Sequence, residues 1–242
     1  YEKILSKRVQ ELKPSGIRKF FDIAANMKDV ISLSIGEPDF KTPWAVRAAA
    51  IETLEKGRTT YTANSGLAAL RVEITRYMER KFGLSYHPED ETLVTVGGSE
   101  AIDLCIRAFV EPGDEVLVVE PCFVAYAPII EMMRGVPVPV ETVAEESFRL
   151  TAARLREKIT KKTKLLVLPY PNNPTGGVMR KEHLEEIAEV LRGTNIMVLS
   201  DEIYAELTYT GRHVSIASLP GMRERTIVVN GFSKAFSMTG WR

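Results

Sequence analysis

The chain has 242 residues, and its 32 lysines and arginines are matched by 32 aspartates and glutamates. The resulting net charge of zero argues against a general nucleic-acid binder, because such proteins usually carry a basic excess. The length allows a sizeable buried core, whereas the longest apolar runs are far too short to span a bilayer. Cys105 and Cys122 lie in apolar surroundings at no metal-ligand spacing, a pattern typical of thiols in the reducing cytoplasm. We therefore expect a cytoplasmic domain of enzyme size without a metal, a membrane or a nucleic-acid partner.

Hydrophobic periodicity divides the chain near residue 44. Residues 1–43 are weakly patterned, apart from an alternating, strand-like stretch at 31–38, and we predict that they form an N-terminal arm. Across 44–242 helix-like and strand-like segments alternate. Helices are predicted over 44–56, 66–82, 99–110, 123–133, 152–159 and 181–191, and strands over 93–96, 115–120, 136–141, 164–168, 196–200 and 226–230. Apolar strands joined by helices indicate a mostly parallel sheet that is covered on both faces.

Ligands bind beyond the carboxyl ends of the strands in such sheets, and the segments that follow the predicted strands contain polar residues suited to this. Gly97, Gly98 and Ser99 follow the strand predicted at 93–96 and begin a helix. Free backbone N–H groups and the positive end of a helix favour a phosphate there. A tight turn with Ser99 as the helix N-cap explains the same residues. Neither a GxGxxG nor a Walker A motif is present, so ordinary dinucleotide and nucleotide sites are disfavoured.

Aromatic and amide groups follow the next strands. Phe123 comes shortly after 115–120 and could stack on a planar ligand, although core packing explains it equally. The segment 169–177 follows 164–168 and is rich in proline, asparagine and glycine, which is consistent either with a long turn or with a binding loop.

Two charged residues follow the last two predicted strands. Asp201 comes after an apolar strand, and a buried carboxylate needs a partner, either a bound cation or a structural cap or salt bridge. Lys234 follows the strand at 226–230, and a desolvated lysine amine is a candidate nucleophile for Schiff-base chemistry.

Together these segments resemble the class I/II aminotransferases, which are pyridoxal-phosphate-dependent enzymes of fold type I. The resemblance covers nearly the whole chain, in the family's order, through blocks at 34–39, 61–71, 172–176, 201–204 and 233–242. The last block, Ser-Lys-x4-Thr-Gly-Trp-Arg, is highly specific. The resemblance implies a three-layer α/β/α large cofactor-binding domain over 44–242 with a mostly parallel central sheet. Because family members continue beyond this block, we expect a fragment that lacks the small C-terminal domain and is poorly active alone.

The resemblance also implies catalytic roles. Lys234 matches the lysine that binds the cofactor covalently and moves the substrate α-proton. Asp201 matches the carboxylate that pairs with the pyridine nitrogen and so keeps the ring an electron sink. Tyr204 and Asn173 match donors to the ring oxygen, and Asn173 also lies in the substrate site. Phe123 matches the aromatic residue that stacks on the ring.

The remaining implied roles concern the phosphate, the neighbouring subunit and the substrate carboxylate. The phosphate-binding positions are Gly98, Ser99, Ser233 and Arg242. Many family members carry a hydroxyl three residues before the lysine, where this chain has Gly231, and Ser233 is the candidate replacement. Tyr61 matches a tyrosine that reaches the neighbouring subunit's phosphate, which implies a homodimer with composite sites. Gly36 matches a loop that contacts the substrate carboxylate.

The resemblance predicts transfer of an amino group between an amino acid and a 2-oxo acid by a ping-pong mechanism. It is strongest with prokaryotic aspartate and aromatic aminotransferases. A carbon–sulfur β-lyase on the same scaffold, or the aminotransferase-like sensor domain of a regulator, remains an alternative. We interpret five further residues as packing, surface or loop residues and one as structural: Tyr126, Tyr170, His87, His183 and His213, and Glu202.

Overall fold

A computed structural model describes residues 4–12, 16, 23, 27, 31 and 36–241, and all structural statements below concern these residues. The helices are α1 (Lys7–Glu11), α2 (Trp44–Glu55), α3 (Ala68–Phe82), α4 (Gly98–Phe109), α5 (Tyr126–Met132), α6 (Ala152–Lys158), α7 (Lys181–Leu191) and α8 (Phe232–Ala235). The strands are β1 (Glu115–Glu120), β2 (Val136–Glu141), β3 (Thr163–Pro169), β4 (Met197–Asp201) and β5 (Thr226–Val229). Short 3-10 turns occupy Ala144–Glu146, Ala205–Leu207, Ile216–Ser218 and Arg223–Arg225. Residues 32–35 of the strand-like stretch at 31–38 lie outside the described residues.

The five strands form one sheet in the order β2-β1-β3-β4-β5, and every neighbouring pair is parallel. In the register of the sheet, Asp201 at the end of β4 lies opposite Pro169 of β3 and Val229 of β5. The carboxyl ends of these strands therefore meet at one edge, as the predicted parallel sheet requires.

Both faces of the sheet are covered. Successive residues of a strand point to opposite faces, so each strand contributes to two cores. In β3, Leu166 and Leu168 belong to one hydrophobic core, whereas Leu165 and Val167 belong to a second. The first core includes buried residues of α6 and α7, and the second includes buried residues of α4 and α5. The predicted three-layer α/β/α architecture is confirmed.

The strand predicted over 93–96 is wrong. Residues 93–96 pair with no strand in the part of the chain that the structure describes, and the side chains of Leu93 and Val96 are exposed. The Val94 N–H instead donates to the Ser65 carbonyl at 3.1 Å. A short apolar run indicates a segment that can be buried, but a strand also needs a neighbour to bond with.

Glycines with positive φ lie at the ends of two helices. Gly83 follows α3 at φ +67°, the left-handed conformation that commonly ends a helix. Gly97 precedes α4 at φ +85° and turns the chain sharply into that helix.

Among the described residues, no helix is both long enough and apolar enough to cross a membrane.

Candidate active site

A cavity of about 340 Å³ lies at the carboxyl edge of the sheet. It has the size of a small-molecule site. Nine of the predicted site residues line it, namely Gly36, Gly98, Ser99, Phe123, Asn173, Asp201, Tyr204, Ser233 and Lys234. Tyr61 does not line it, and its side chain is fully exposed. Arg242 lies outside the described residues. The carboxyl edge of the sheet thus brings Asn173, Asp201 and Lys234, which lie at or beyond the ends of separate strands, together with the first turn of α4.

Asp201 presents a buried carboxylate to this cavity. Its Oδ2 accepts a hydrogen bond from the Tyr126 hydroxyl at 2.6 Å, and its Oδ1 accepts one from the Ile203 backbone N–H at 3.2 Å. Burial raises the pKa of Asp201 above its ordinary value of 3.8, while these two hydrogen bonds oppose the rise and the nearby Glu202 carboxylate adds to it. A cation beside this carboxylate would stabilise its ionised form.

Tyr126 is more than the packing residue that we expected. Its ring lies in the core beside Phe123, with ring centroids 5.8 Å apart and planes at 84°. Its buried hydroxyl donates to Asp201, and burial raises the pKa of Tyr126 far above its usual range, so the proton stays on the phenol. The sequence signal for this role is weak: the tyrosine lies three residues after Phe123, a spacing that places both side chains on the same side of the predicted helix.

The loop that follows β3 orients Asn173. The buried side chain of Asn172 accepts hydrogen bonds from the Thr175 backbone N–H at 3.1 Å and from the Thr175 hydroxyl at 2.9 Å. This closed turn holds Asn173 at the cavity, where it hydrogen-bonds Tyr204. Burial and the charge of Asp201 raise the pKa of Tyr204, and the hydrogen bond with Asn173 opposes the rise. Both side chains therefore offer neutral polar groups to the cavity.

Lys234 lies in α8, just beyond the end of β5. Its Nζ donates to the carbonyl of Gly36 and lies 5.9 Å from the centroid of the Tyr204 ring. The segment 36–42 is held over this region because the Thr42 hydroxyl donates to the Ser237 carbonyl at 2.5 Å, and the Trp241 indole donates to Thr42 at 3.1 Å. The lysine amine and the backbone of Gly36 therefore meet in the cavity.

The N-terminus of α4 forms another wall of the cavity, through Gly98 and Ser99. The first-turn N–H groups of a helix carry a partial positive charge and favour an anion. A Cβ added to Gly98 would come within 3.8 Å of the Ile203 δ-methyl group and 3.6 Å of a Val229 methyl group. The helix end is thus packed closely against the ends of β4 and β5.

A second buried polar cluster lies beside β4 but does not line the cavity. The carboxylate of Glu202 accepts from Ser200 at 2.8 Å and from Ser215 at 2.5 Å, and lies 2.7 Å from the His213 ring. His213 lies in a loop, as expected, but it is not a surface residue, because its side chain is buried against Glu202. Of the other two histidines, His87 is exposed and His183 contacts Arg149.

The comparisons with known proteins agree with this site. The family model described as "Aminotransferase class I and II" matches residues 28–242. The protein named "Putative aminotransferase YugH" of Bacillus subtilis (strain 168) is 57% identical over 238 residues, which cover 98% of this chain and 62% of that protein. The aspartate aminotransferase of Pyrococcus abyssi is 48% identical over 98% of this chain and 61% of its own length.

Solved structures match in the same way. The aspartate aminotransferase from Thermus thermophilus with maleate superposes with a TM-score of 0.92 at 43% identity, covering 98% of this chain and 63% of that one. This chain therefore spans about 60% of the length of the relatives that it matches. The family match, the parallel sheet and the residues gathered at its carboxyl edge lead to one assignment: the chain belongs to the class I and II aminotransferases, a family of pyridoxal-phosphate-dependent enzymes.

Proposed function

We propose that the protein is an aminotransferase that moves an amino group between an amino acid and a 2-oxo acid through pyridoxal phosphate. The observation that carries this proposal is the convergence of Lys234, Asp201 and the N-terminus of α4 on one cavity. A cation-binding carboxylate, an amine and an anion-binding helix end are the three features that the pyridine nitrogen, the aldehyde and the phosphate need.

The described residues fit the cofactor. The buried Asp201 carboxylate is oriented by two hydrogen bonds and has a raised pKa, which a pyridinium partner would relieve. Gly98 and Ser99 line the cavity at the N-terminus of α4, where backbone N–H groups would hold the phosphate. When bound, pyridoxal phosphate supplies an aldehyde for amines and an electron-withdrawing ring that stabilises a carbanion.

Each side chain then has a separate task. Asp201 would hold the proton on the pyridine nitrogen, and Phe123 would pack against the face of the ring. Tyr204 and Asn173 would donate to the ring oxygen. The Lys234 amine would hold the cofactor and carry the α-proton of the substrate.

The ping-pong mechanism is tested by separating the two half-reactions. The full-length protein, loaded with pyridoxal phosphate and given an amino acid alone, should release a stoichiometric amount of the corresponding 2-oxo acid and then stop until an acceptor 2-oxo acid is added. Lys234→Ala should abolish this release. Continuous release of pyruvate from cystathionine without an acceptor would contradict the proposal and favour the β-lyase, because the cofactor residues generate the carbanion without deciding its fate. No release from any amino acid would favour a sensor domain.

We also propose a homodimer with composite sites, located in the cytoplasm. Two observations support the dimer: Tyr61 is fully exposed, and helix α2 buries no residue although it carries the apolar side chains of Trp44, Ile51 and Leu54. Exposed apolar side chains of this kind mark an interaction surface. The cysteines Cys105 and Cys122 are both free thiols, which suits a reducing compartment. Light scattering on the full-length protein should give twice the monomer mass, and a monomer would contradict the dimer.

A further inference from the structure

Tyr77 of α3 contacts two segments that carry cavity residues, although it does not line the cavity itself. Tyr204 lines the cavity and immediately precedes the 3-10 turn Ala205–Leu207, and Lys234 lines the cavity from α8. The Nζ atom of Lys234 lies 5.9 Å from the centroid of the Tyr204 ring, so the two side chains are close neighbours in the cavity. Tyr77 contacts the segment of each one.

The first contact is a hydrogen bond to the turn that follows Tyr204. The Tyr77 hydroxyl donates to Oε1 of Glu206 at 2.6 Å. Lys81, one helical turn further along α3, places its Nζ 3.0 Å from the same oxygen. The hydrogen bond from Tyr77 and the charge of Lys81 lower the pKa of Glu206 against the effect of burial. Burial and the same hydrogen bond raise the pKa of Tyr77 above its usual range, so a protonated phenol donates to an ionised carboxylate.

The second contact is with the segment of Lys234. Phe236 follows α8 directly, and its ring centroid lies 6.2 Å from that of Tyr77, with the ring planes at 59°. The Phe236 N–H donates to the Phe232 carbonyl at 3.0 Å, which ties this ring to the helix that carries Lys234. The α3 helix is itself anchored in a hydrophobic cluster through the neighbouring Met78. One side chain on an anchored helix thus bridges both segments.

We infer that Tyr77 is a positioning residue, which sets the place of Tyr204 relative to Lys234. The hydroxyl acts on the Tyr204 side through Glu206, and the ring acts on the Lys234 side through Phe236. A misplacement of about 1 Å can cost about a hundredfold in rate, so a weakened bridge should slow turnover without removing any group from the cavity. The inference rests on the proposed function, because Tyr204 and Lys234 are residues that would hold the cofactor.

Amide hydrogen exchange on the cofactor-free, full-length protein tests the hydroxyl and the ring separately. The Leu207 N–H donates to the Tyr204 carbonyl at 2.8 Å and reports opening of the turn, whereas the Phe236 N–H reports the end of α8. Tyr77→Phe removes a hydrogen bond to a charged group and keeps the ring. We expect it to speed exchange at Leu207 about tenfold or more and to leave Phe236 within about twofold of wild type. Tyr77→Leu should speed exchange at both amides.

The loaded enzyme shows whether this bridge positions the site or only stabilises the fold. Tyr77→Phe should lower kcat about tenfold and leave KM within about threefold of wild type, because no group that would bind the substrate is removed. It should also shift the pH at which the visible absorption of bound pyridoxal phosphate changes, in the same direction as Tyr204→Phe and by less. A loss of stability alone would move neither quantity.

Tyr86→Phe is the matched control. Tyr86 packs against the same hydrophobic cluster as Tyr77, and its buried hydroxyl has no hydrogen-bond partner in the part of the chain that the structure describes. The substitution therefore removes a buried phenol hydroxyl without breaking a bridge, and it should behave as wild type in both experiments.

The inference is overturned if Tyr77→Phe exchanges at Leu207 as slowly as wild type, or if exchange quickens while kcat and the absorption profile stay unchanged. Glu206→Ala removes the same hydrogen bond from its partly exposed end, so it decides the matter if Tyr77→Phe does not fold. It should reproduce both effects, and wild-type behaviour would overturn the inference. Wild-type protein that binds no pyridoxal phosphate contradicts the proposed function instead, while exchange in the cofactor-free variants still decides whether Tyr77 holds the turn.

Discussion

The hydrogen bond between Tyr126 and Asp201 gives a prediction whose size follows from the structure. Tyr126→Phe removes one hydroxyl that donates at 2.6 Å to a buried carboxylate, and it keeps the ring that packs in the core. A hydrogen bond to a charged group contributes about 1.5–3 kcal/mol, whereas one between neutral groups contributes about 0.5–1.5 kcal/mol. The cost of the substitution should therefore depend on whether Asp201 is ionised.

The direction of the pH dependence follows from the raised pKa of Asp201, which burial causes and the tyrosine hydroxyl opposes. Because the folded state holds the proton more tightly than the unfolded state does, Asp201 destabilises the cofactor-free fold as the pH rises through this raised pKa. Tyr126→Phe raises the pKa of Asp201 further. The loss of stability is therefore largest when Asp201 is ionised, about 1.5–3 kcal/mol, and shrinks as the pH falls towards the ordinary carboxyl pKa.

Urea unfolding of the cofactor-free protein at a series of pH values measures this loss. Tyr170→Phe is the matched control, since the buried Tyr170 hydroxyl bonds only to the backbone, donating to Phe148 at 2.8 Å and accepting from Leu150 at 2.9 Å. Its cost, about 1–3 kcal/mol, should not change over the same pH range. The reasoning is refuted if the cost of Tyr126→Phe is independent of pH, or if both variants follow the same pH profile.

Two further predictions concern the backbone and the dimer. Gly66→Ala should destabilise the fold by about 2–5 kcal/mol in urea unfolding, because Gly66 has φ +98° and an added Cβ would lie 2.6 Å from Val94. Gly57→Ala is the control, because Gly57 has φ +64° and an added Cβ would meet nothing within 4 Å. It should cost only the backbone strain, about 1–2 kcal/mol. Equal losses of stability in the two variants would contradict the packing argument. The composite site is tested by mixing Lys234→Ala protein with Tyr61→Ala protein, each inactive alone, under conditions of subunit exchange. Half of the dimers are then mixed, and each mixed dimer holds one intact site out of two. We therefore expect about one quarter of wild-type turnover. Turnover equal to the mean of the two parents would contradict a shared site.

The fold could be predicted because its signals are local. Each apolar strand is short, each is followed by a helix or by a polar segment, and parallel strands bring these polar segments to one edge. Asp201 is the last residue of β4 and Lys234 lies a few residues beyond the end of β5, so the pairing of these neighbouring parallel strands brings both residues to the cavity. The segment 93–96 has the same apolar character, but its pairing depends on a neighbouring strand that composition does not reveal.

The side-chain partnerships could not be predicted, because they join residues that are distant in the sequence. Tyr126 and Asp201 are 75 residues apart, and the hydroxyl meets the carboxylate only after α5 packs on the sheet. The same holds for the buried contact of His213 with Glu202, where a polar residue in a loop gave no sign of burial.

The proposed mechanism requires that Lys234 bind pyridoxal phosphate in the cavity beside Asp201. Borohydride reduction of the full-length protein loaded with pyridoxal phosphate, followed by peptide mass mapping, tests it most directly, because reduction makes the bond between lysine and cofactor permanent. We expect a stoichiometric cofactor label on the peptide that contains Lys234, and no label there in Lys234→Arg protein. A label on another lysine, or bound cofactor that leaves no label on Lys234, would contradict it.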